Sequence, residues 1–203
     1  MRFTCRSFYA VIASFLLAGL VLAADAPSPL KLVEITVNDV VAEMNANQEL
    51  YTEQPEKLQS MVLERVAPHF DFQRMTQLAL AKNWSSATPA QREQITNELL
   101  QMIVRNYSNA MFTFRNTPIK LLSEKLSGER SARVRLSVTN SNTGNLVDVI
   151  LRMEHRNSNW QVVDVVVDGV SMVITYRGTF DAEVSKGGIE GLIASIKANN
   201  MAN

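Results

Sequence analysis

Residues 160–180 read WQVVDVVVDGVSMVITYRGTF, and the interpretation of the whole chain starts from this stretch. Its first part, 160–167, is a β-branched run typical of a strand that is buried on both faces. Its second part spaces Val170, Val173 and Tyr176 as one stripe of a helix. A strand that leads into a helix, both of them apolar, indicates either an ordinary core or a protein that encloses an apolar ligand. These residues alone leave the two interpretations open.

Proline and glycine divide the chain into two halves of different structure. All six prolines lie at or before Pro118, and seven of the eight glycines lie at or after Gly128. The first half predicts helices, among which Thr88-Pro89-Ala90-Gln91 forms a capping box with proline at the first helical position. The helices that we predict cover 30–47, with Leu32, Ile35, Val40 and Met44 on one side, then 55–66, a segment capped by Asp71, and 89–112.

The second half changes to a period of two residues. Val134, Leu136 and Val138 share one face of a strand, and Arg133, Arg135 and Ser137 share the other. Four antiparallel strands are predicted near 119–122, 133–138, 147–153 and 160–167, followed by closing helices over 170–184 and 189–199. The fold class is therefore α+β, a curved antiparallel sheet with helices that cover one of its faces.

The N-terminus has the pattern of a secretory signal peptide. Arg2 and Arg6 precede an apolar run from Phe8 to Leu22, which is too short for a membrane span, and small residues follow at Ala23 and Ala24. We predict a signal peptide over 1–23, cleaved near Ala23 or Ala24, and one domain over 24–203. Within that domain the helical half is 30–115, the sheet half 117–168 and the closing helices 169–200. The mature protein is expected to be exported.

Charge and cysteine content exclude several functions. The chain has 20 basic and 20 acidic residues, and without Arg2 and Arg6 the basic count is 18. Nucleic-acid binding is not expected, because it needs a basic field. The only cysteine, Cys5, lies within the signal peptide, so the mature protein has no disulfide and no thiolate nucleophile.

Catalytic and metal-binding patterns are weak in this sequence. His69 has no second ligand at a helical i+4 position, so we expect no metal site. Asp164 and Asp168 form a candidate carboxylate pair for acid–base chemistry, but we prefer Asp168 as part of a turn and Asp164 as the partner of Arg135 or Arg177. Arg177 is also a candidate contact for a phosphate. We predict no catalytic residue and no cofactor.

Two blocks of sequence resemble the MlaC family, also described as the toluene-tolerance auxiliary family. The first is the Trp160 to Ser171 stretch, continued by Tyr176-Arg177 and Phe180; Tyr107 also matches. The second block consists of Pro68, Phe70-Asp71-Phe72, Met75, Ala79-Leu80, Trp84, Ala87 and Gln91. The resemblance covers roughly residues 30 to 200. Ala81-Lys82 departs from it, since a glycine usually follows at that point in the family.

The resemblance implies a periplasmic carrier that moves phospholipids between the two membranes of a Gram-negative envelope and so maintains outer-membrane asymmetry. It implies an NTF2-like cone with an apolar cavity between sheet and helices. The implied partners are phospholipid as cargo, an inner-membrane ABC-type complex with an MCE-domain subunit, and an outer-membrane lipoprotein–porin complex. We expect a monomer. Because loading requires an opening, Gly187-Gly188 is a candidate hinge.

Acyl chains would lie between the sheet and the helices, so apolar residues that face this space are the candidate lipid-binding residues. From the sheet these are Val134, Leu136, Val138, Val147, Val149 and Leu151; from the helices they are Met75, Ile103, Tyr107, Met111, Val170, Val173 and Tyr176. Two other classes of function stay open. One is an enzyme on an NTF2-like cone, and the other is a periplasmic peptide-binding or chaperone module.

Overall fold

The computed structural model describes residues 27–140 and 143–202. The helices are α1 (Pro29–Ala46), α2 (Gln48–Glu53), α3 (Pro55–Arg65), α4 (Phe72–Leu80), α5 (Pro89–Thr113) and α6 (Met172–Ala202). Short 3-10 helices lie at Ala67–His69 and Ala81–Ser86. The strands are β1 (Ile119–Ser127), β2 (Ser131–Thr139), β3 (Leu146–Arg156), β4 (Asn159–Val167) and β5 (Val170–Ser171).

The sheet is antiparallel and open, with the strands in their sequence order from β1 to β5. The pairing of β1 with β2 shifts register between Leu121 and Ser123, and that of β3 with β4 shifts between Arg152 and Met153. Such bulges bend a sheet locally and increase its twist. The α+β class is confirmed, and the sheet has five strands rather than the four that the sequence predicts.

Side-chain caps start α1, α4 and α5, and the last two of these caps were predicted from the sequence. The Ser28 hydroxyl accepts from the Lys31 N–H, and the Asp71 carboxylate accepts from the Arg74 N–H at 2.8 Å. At α5 the predicted capping box is complete, since Thr88 accepts from the Gln91 N–H and the Gln91 side chain accepts from the Thr88 N–H. Each cap satisfies backbone donors that have no partner within the helix.

Two parts of the secondary structure differ from the prediction. The predicted closing helix over 170–184 begins later, at Met172, because Val170 and Ser171 first pair with β4 across an Asp168-Gly169 turn. Both turn residues have positive φ, as a tight two-residue hairpin requires. The chain also forms α2, which the sequence analysis did not predict. The predicted break at Gly187-Gly188 is present as a kink within α6.

The helices occupy both faces of the sheet, not one face as predicted. On one face α1 packs across β1 and β2, and its Val33 joins Ala132, Val134, Leu136, Met153 and Val162 in one buried cluster. On the other face α6 begins beside Asp164 of β4 and then packs against α4 and α5, with Phe180 and Leu192 fully buried. A third cluster joins α1, α2, α3 and α5 around Met44, Leu58 and Val104.

The predicted signal peptide over 1–23 and its cleavage near Ala23 or Ala24 lie outside the described residues. Within residues 27–140 and 143–202, no helix combines the length and the apolarity that a membrane crossing needs.

Candidate functional site

An apolar cavity of about 490 Å³ lies between α1, the C-terminal end of α5 and one face of the sheet. Its volume is within the range of about 300–1,000 Å³ that is usual for ligand sites. Nearly all of the surface that faces the cavity is carbon. The lining residues are Leu32, Val33, Thr36, Val37, Val40, Val41, Met44, Val66, His69, Phe70, Tyr107, Ala110, Met111, Phe114, Arg115, Ile119, Val138, Asn140, Val147, Val149, Leu151, Met153, Val162 and Val167.

Strand alternation builds the sheet wall of the cavity. Val147, Val149, Leu151 and Met153 lie two residues apart on β3, so their side chains leave the same face of the sheet. Residues between them, such as Arg152, leave the opposite face. An uninterrupted apolar wall therefore follows directly from the period of this one strand.

Helix α1 forms the opposite wall and is held at its N-terminus. The backbone N–H of Leu30 donates to the Glu124 carboxylate of β1 at 2.6 Å, which ties the first turn of the helix to the sheet. The positive end of the helix dipole also stabilises a carboxylate in this position. Further along, Val33, Val37 and Val40 follow a helical stripe and face the cavity.

One histidine lies in the apolar lining. The Thr36 hydroxyl donates to the Leu32 carbonyl at 2.9 Å, and its oxygen lies 3.4 Å from His69 Nε2. With the threonine proton already used, the arrangement fits a neutral imidazole that donates from Nε2. Burial lowers the pKa of His69 below its ordinary value, which also favours the neutral ring.

Six of the thirteen predicted lipid-binding residues line this cavity. They are Tyr107, Met111, Val138, Val147, Val149 and Leu151. The two α5 residues are one helical turn apart, and the four sheet residues lie on β2 and β3. Their role in lipid binding stays a prediction.

The other seven predicted residues lie elsewhere. Val134 and Leu136 are on the cavity face of β2 but are packed tightly under α1. Val170 is 64% exposed beside the β4–β5 turn. Met75, Ile103, Val173 and Tyr176 lie in the core among α4, α5 and α6. Burial and the neighbouring Tyr107 raise the pKa of Tyr176 to about 12. The helical stripe of α6 is present, but it packs against α4 and α5 and does not line the cavity. Tyr176 comes near the cavity only through its neighbour Tyr107.

The polar residues considered as catalytic or phosphate-binding have structural partners. Asp164 pairs with Arg152 at 3.2 Å, not with Arg135 or Arg177 as predicted. Arg135 pairs instead with Asp148, and Arg177 donates to the Leu78 carbonyl at 2.9 Å and 3.1 Å. In the part of the chain that the structure describes, no group of three His, Asp or Glu side chains is arranged to hold a metal ion.

The largest omission from the predicted site is the α1 wall. Val33, Val37, Val40 and Met44 follow the i, i+4, i+7, i+11 spacing of one helix face, and this signal was present in the sequence. The sequence analysis grouped Val40 and Met44 with Leu32 and Ile35 on one side of this helix without naming them as lipid-binding, and Ile35 is 42% exposed. Phe114 and Arg115 were also missed, because they follow the end of α5 and belong to no periodic pattern.

The protein is of the α+β class, with an open antiparallel sheet and helices on both of its faces. The apolar cavity between α1 and one face of the sheet leaves room for a ligand in the interior. The chain belongs to the MlaC family, whose model, described as MlaC protein, matches residues 34–198. This agrees with the resemblance seen in the sequence.

Individual relatives cover nearly the whole chain. The intermembrane phospholipid transport system binding protein MlaC of Haemophilus influenzae is 24% identical over an alignment of 200 residues that covers 96% of this chain and 91% of that protein. The toluene tolerance protein ttg2D of Pseudomonas putida is 23% identical over 184 residues, which are 90% and 83% of the two chains. The solved structure of a Ralstonia solanacearum phospholipid-binding protein in complex with a phospholipid has a TM-score of 0.78 and 29% identity, covering 88% of this chain and 98% of that one.

Proposed function

We propose that this protein is a periplasmic carrier that holds the acyl chains of a phospholipid in the apolar cavity. The single observation that carries the proposal is the cavity itself, whose walls on α1 and β3 present almost only carbon. The MlaC relative from Haemophilus influenzae and the phospholipid-bound structure from Ralstonia solanacearum support phospholipid as the ligand.

Tail burial would supply the affinity. Each buried methylene is worth about 0.8 kcal/mol, so a two-tailed lipid of roughly thirty methylenes gains on the order of 25 kcal/mol when it leaves water. Free lipid therefore does not cross an aqueous compartment at a useful rate. A carrier needs only to bury about as much of the lipid tails as a bilayer does. The free-energy change on exchange between carrier and membrane is then close to zero.

Because exchange is nearly neutral, the partners must set its direction. We propose that the protein exchanges lipid with an inner-membrane ABC-type complex that contains an MCE-domain subunit and with an outer-membrane lipoprotein–porin complex. In this role it would act as a monomer without a cofactor or catalysis, and its transport would maintain outer-membrane lipid asymmetry. Gly187 and Gly188 do not line the cavity, and their role as a loading hinge stays a prediction.

The test compares two valine-to-glutamate variants purified without detergent. Val149→Glu places a carboxylate in the cavity wall, whereas Val170→Glu makes the same change at an exposed residue outside it. An unpaired charge in an apolar cavity is costly, so Val149→Glu should remain folded and lose its lipid. Val170→Glu should keep the lipid content of the unsubstituted protein, as measured by native mass spectrometry and lipid extraction.

Three results would contradict the proposal. They are an unsubstituted protein that contains no lipid and takes none from vesicles, a folded Val149→Glu variant with unchanged lipid content, and the recovery of peptide instead of lipid. The last result would favour the peptide-binding alternative. Transfer of labelled phospholipid between donor and acceptor vesicles, dependent on added protein, tests the carrier step itself.

A further inference from the structure

Arg115 is the charged residue in an otherwise neutral cavity. Among the described residues that line the cavity, no other carries a formal charge if His69 is neutral, and none is Asp or Glu. A cation beside an apolar wall is expensive to keep without a counter-ion, because the charge loses part of its hydration. The position of Arg115 therefore requires a physical explanation.

Local contacts use only part of the hydrogen-bonding capacity of the Arg115 guanidinium group. Nη1 donates to the Phe112 carbonyl at 2.7 Å, and the guanidinium carbon lies 4.0 Å from the centre of the Phe112 ring. These contacts close the C-terminal end of α5 and hold the side chain in place. They use one of the five N–H donors of the group.

The opposite edge of the guanidinium has no partner within residues 27–140 and 143–202. Nε is buried and makes no hydrogen bond there, and Nη2 makes none either. Nε and Nη2 together form the side-on fork with which arginine binds two oxygens of one phosphate or carboxylate. A buried donor without a partner in a native protein calls for a specific reason, and a ligand that is absent from the structure is one such reason.

A second arginine provides a contrast. Arg105 also has a buried Nε without a hydrogen bond, but its Nη1 and Nη2 both donate to Asn200, and Nη2 also donates to the Asn199 carbonyl at the end of α6. Arg105 does not line the cavity. It therefore joins α5 to α6, and this structural role explains its position. Among the described residues, no comparable contact occupies the free edge of Arg115.

We propose that the Nε–Nη2 edge of Arg115 binds the phosphate of the phospholipid whose acyl chains occupy the cavity. This inference rests on the proposed function. It sets the orientation of the lipid, with its phosphate at the C-terminal end of α5 and its tails between α1 and β3. The same chemistry would bind a free phosphate ion, but the apolar walls next to the fork favour an anion that carries a hydrocarbon tail.

The test measures headgroup selectivity rather than lipid binding alone. The protein is emptied of lipid and offered phosphatidylglycerol or diacylglycerol. The two lipids have identical acyl chains, and diacylglycerol lacks the phosphate and the glycerol attached to it. Bound lipid is quantified by native mass spectrometry for the unsubstituted protein, Arg115→Gln and Arg115→Lys. Lys120→Gln removes an exposed positive charge from β1 and is the matched control.

The unsubstituted protein should prefer phosphatidylglycerol by roughly ten- to a hundredfold, the range expected for charge-assisted hydrogen bonds. Arg115→Gln should bring that ratio close to one while diacylglycerol uptake is retained. Arg115→Lys should give an intermediate ratio, because lysine keeps the charge but has no planar fork. Lys120→Gln should keep the original ratio.

Each contrary result has a distinct meaning. Loss of uptake of both lipids by the unsubstituted protein would overturn the proposed function. Normal uptake with an unchanged ratio in Arg115→Gln would overturn the role of Arg115 alone. Inorganic phosphate that binds the unsubstituted protein as tightly as phospholipid does, measured by calorimetry, would indicate a free-anion site and overturn the lipid assignment. If Arg115→Gln does not fold, Arg115→Lys is decisive. A folded Arg115→Lys variant with the original ratio would contradict the claim that the planar Nε–Nη2 edge binds the phosphate.

Discussion

The hydroxyl of Ser171 lies 2.7 Å from Oδ2 of Asp164, and both side chains are buried where β4 meets the start of α6. The other oxygen of Asp164 accepts from the Val173 N–H at 3.1 Å, and Ser171 in turn accepts from the Ile174 N–H. Arg152 of β3 is the counter-ion. A carboxylate at this point satisfies first-turn backbone donors of α6 and is favoured by the helix dipole.

Asp164→Ala should therefore destabilise the protein by about 3 kcal/mol, because it leaves buried donors unpaired as well as removing the ion pair. Asp148→Ala is the control in the same sheet, where the carboxylate makes a partly exposed ion pair with Arg135 and the cost should stay below about 1 kcal/mol. Urea unfolding followed by circular dichroism measures both. Equal losses in the two variants would show that Asp164 acts only as a surface charge.

Local sequence signals predicted the elements of this fold better than they predicted its site. The cap at Asp71, the capping box at Thr88 and the kink at Gly187-Gly188 depend on neighbouring residues, and all three are present in the structure. Strand β5 was missed because two residues are too few to show a period. The short helix α2 has no strong start signal, since Asn47 makes no side-chain cap.

The site depends on long-range packing, which explains why the sequence identified only part of it. Periodicity shows which side of an element is apolar, but not what that side faces. Val149 and Val173 have equally clear patterns, yet one lines the cavity and the other packs among helices on the opposite side of the sheet. Val134 and Val138 even share a face of β2, and only Val138 reaches the cavity, because α1 covers Val134 directly.

The departure from the family pattern at Ala81 has a structural consequence. Ala81 ends α4 with φ 47° and ψ −115°, a backbone conformation that glycine adopts easily and that a Cβ atom disfavours. Ala81→Gly should therefore stabilise the protein by about 1 kcal/mol, even though glycine also gains entropy in the unfolded chain.

The control for Ala81→Gly is Ala42→Gly at an exposed position within α1, where glycine should cost about 1 kcal/mol. Thermal and urea unfolding of the two variants should thus shift in opposite directions. Destabilisation by both would mean that Ala81 is not strained.

A row of positive charges crosses the face of the sheet opposite the cavity. Lys125 of β1 pairs in register with Arg133 of β2, which pairs with Arg152 of β3. Only Arg152 has a carboxylate partner within the described ranges, 27–140 and 143–202. Like charges directly opposite each other on neighbouring strands are destabilising.

Arg133→Thr should therefore raise the free energy of unfolding by about 0.5 kcal/mol at low salt, with a smaller gain at high salt because screening already weakens the repulsion. Arg135→Thr has the same change in β-propensity on the same strand, but it removes the 2.6 Å pair with Asp148 and should be slightly destabilising. Unfolding at two ionic strengths separates the two effects. A stabilisation by Arg133→Thr that did not depend on salt would exclude charge repulsion as its cause.

His69 should make stability depend on pH. Burial lowers its pKa from the ordinary value of 6.5 in the folded protein, so the unfolded chain binds a proton more readily than the native one. The contribution of neutral His69 to the free energy of unfolding is fully present above pH 6.5. It is lost as the pH falls from 6.5 towards the lower pKa of the folded protein. If one proton bound only to the unfolded chain, the free energy of unfolding would fall by about 1.4 kcal/mol per pH unit. Because the ring of His69 is only partly buried, the loss should be much smaller than this.

The measurement compares the unsubstituted protein with His69→Gln, which has no titrating ring but keeps a group that can donate to Thr36. Carboxylates titrate in both proteins and cancel in the difference between their free energies of unfolding. That difference should be constant above about pH 7 and should shift in favour of His69→Gln between pH 6.5 and 5. Parallel curves across this range would mean that His69 takes up its proton equally well in the folded and unfolded states. Since His69 lines the cavity, bound lipid should bury the ring further and steepen the same pH dependence.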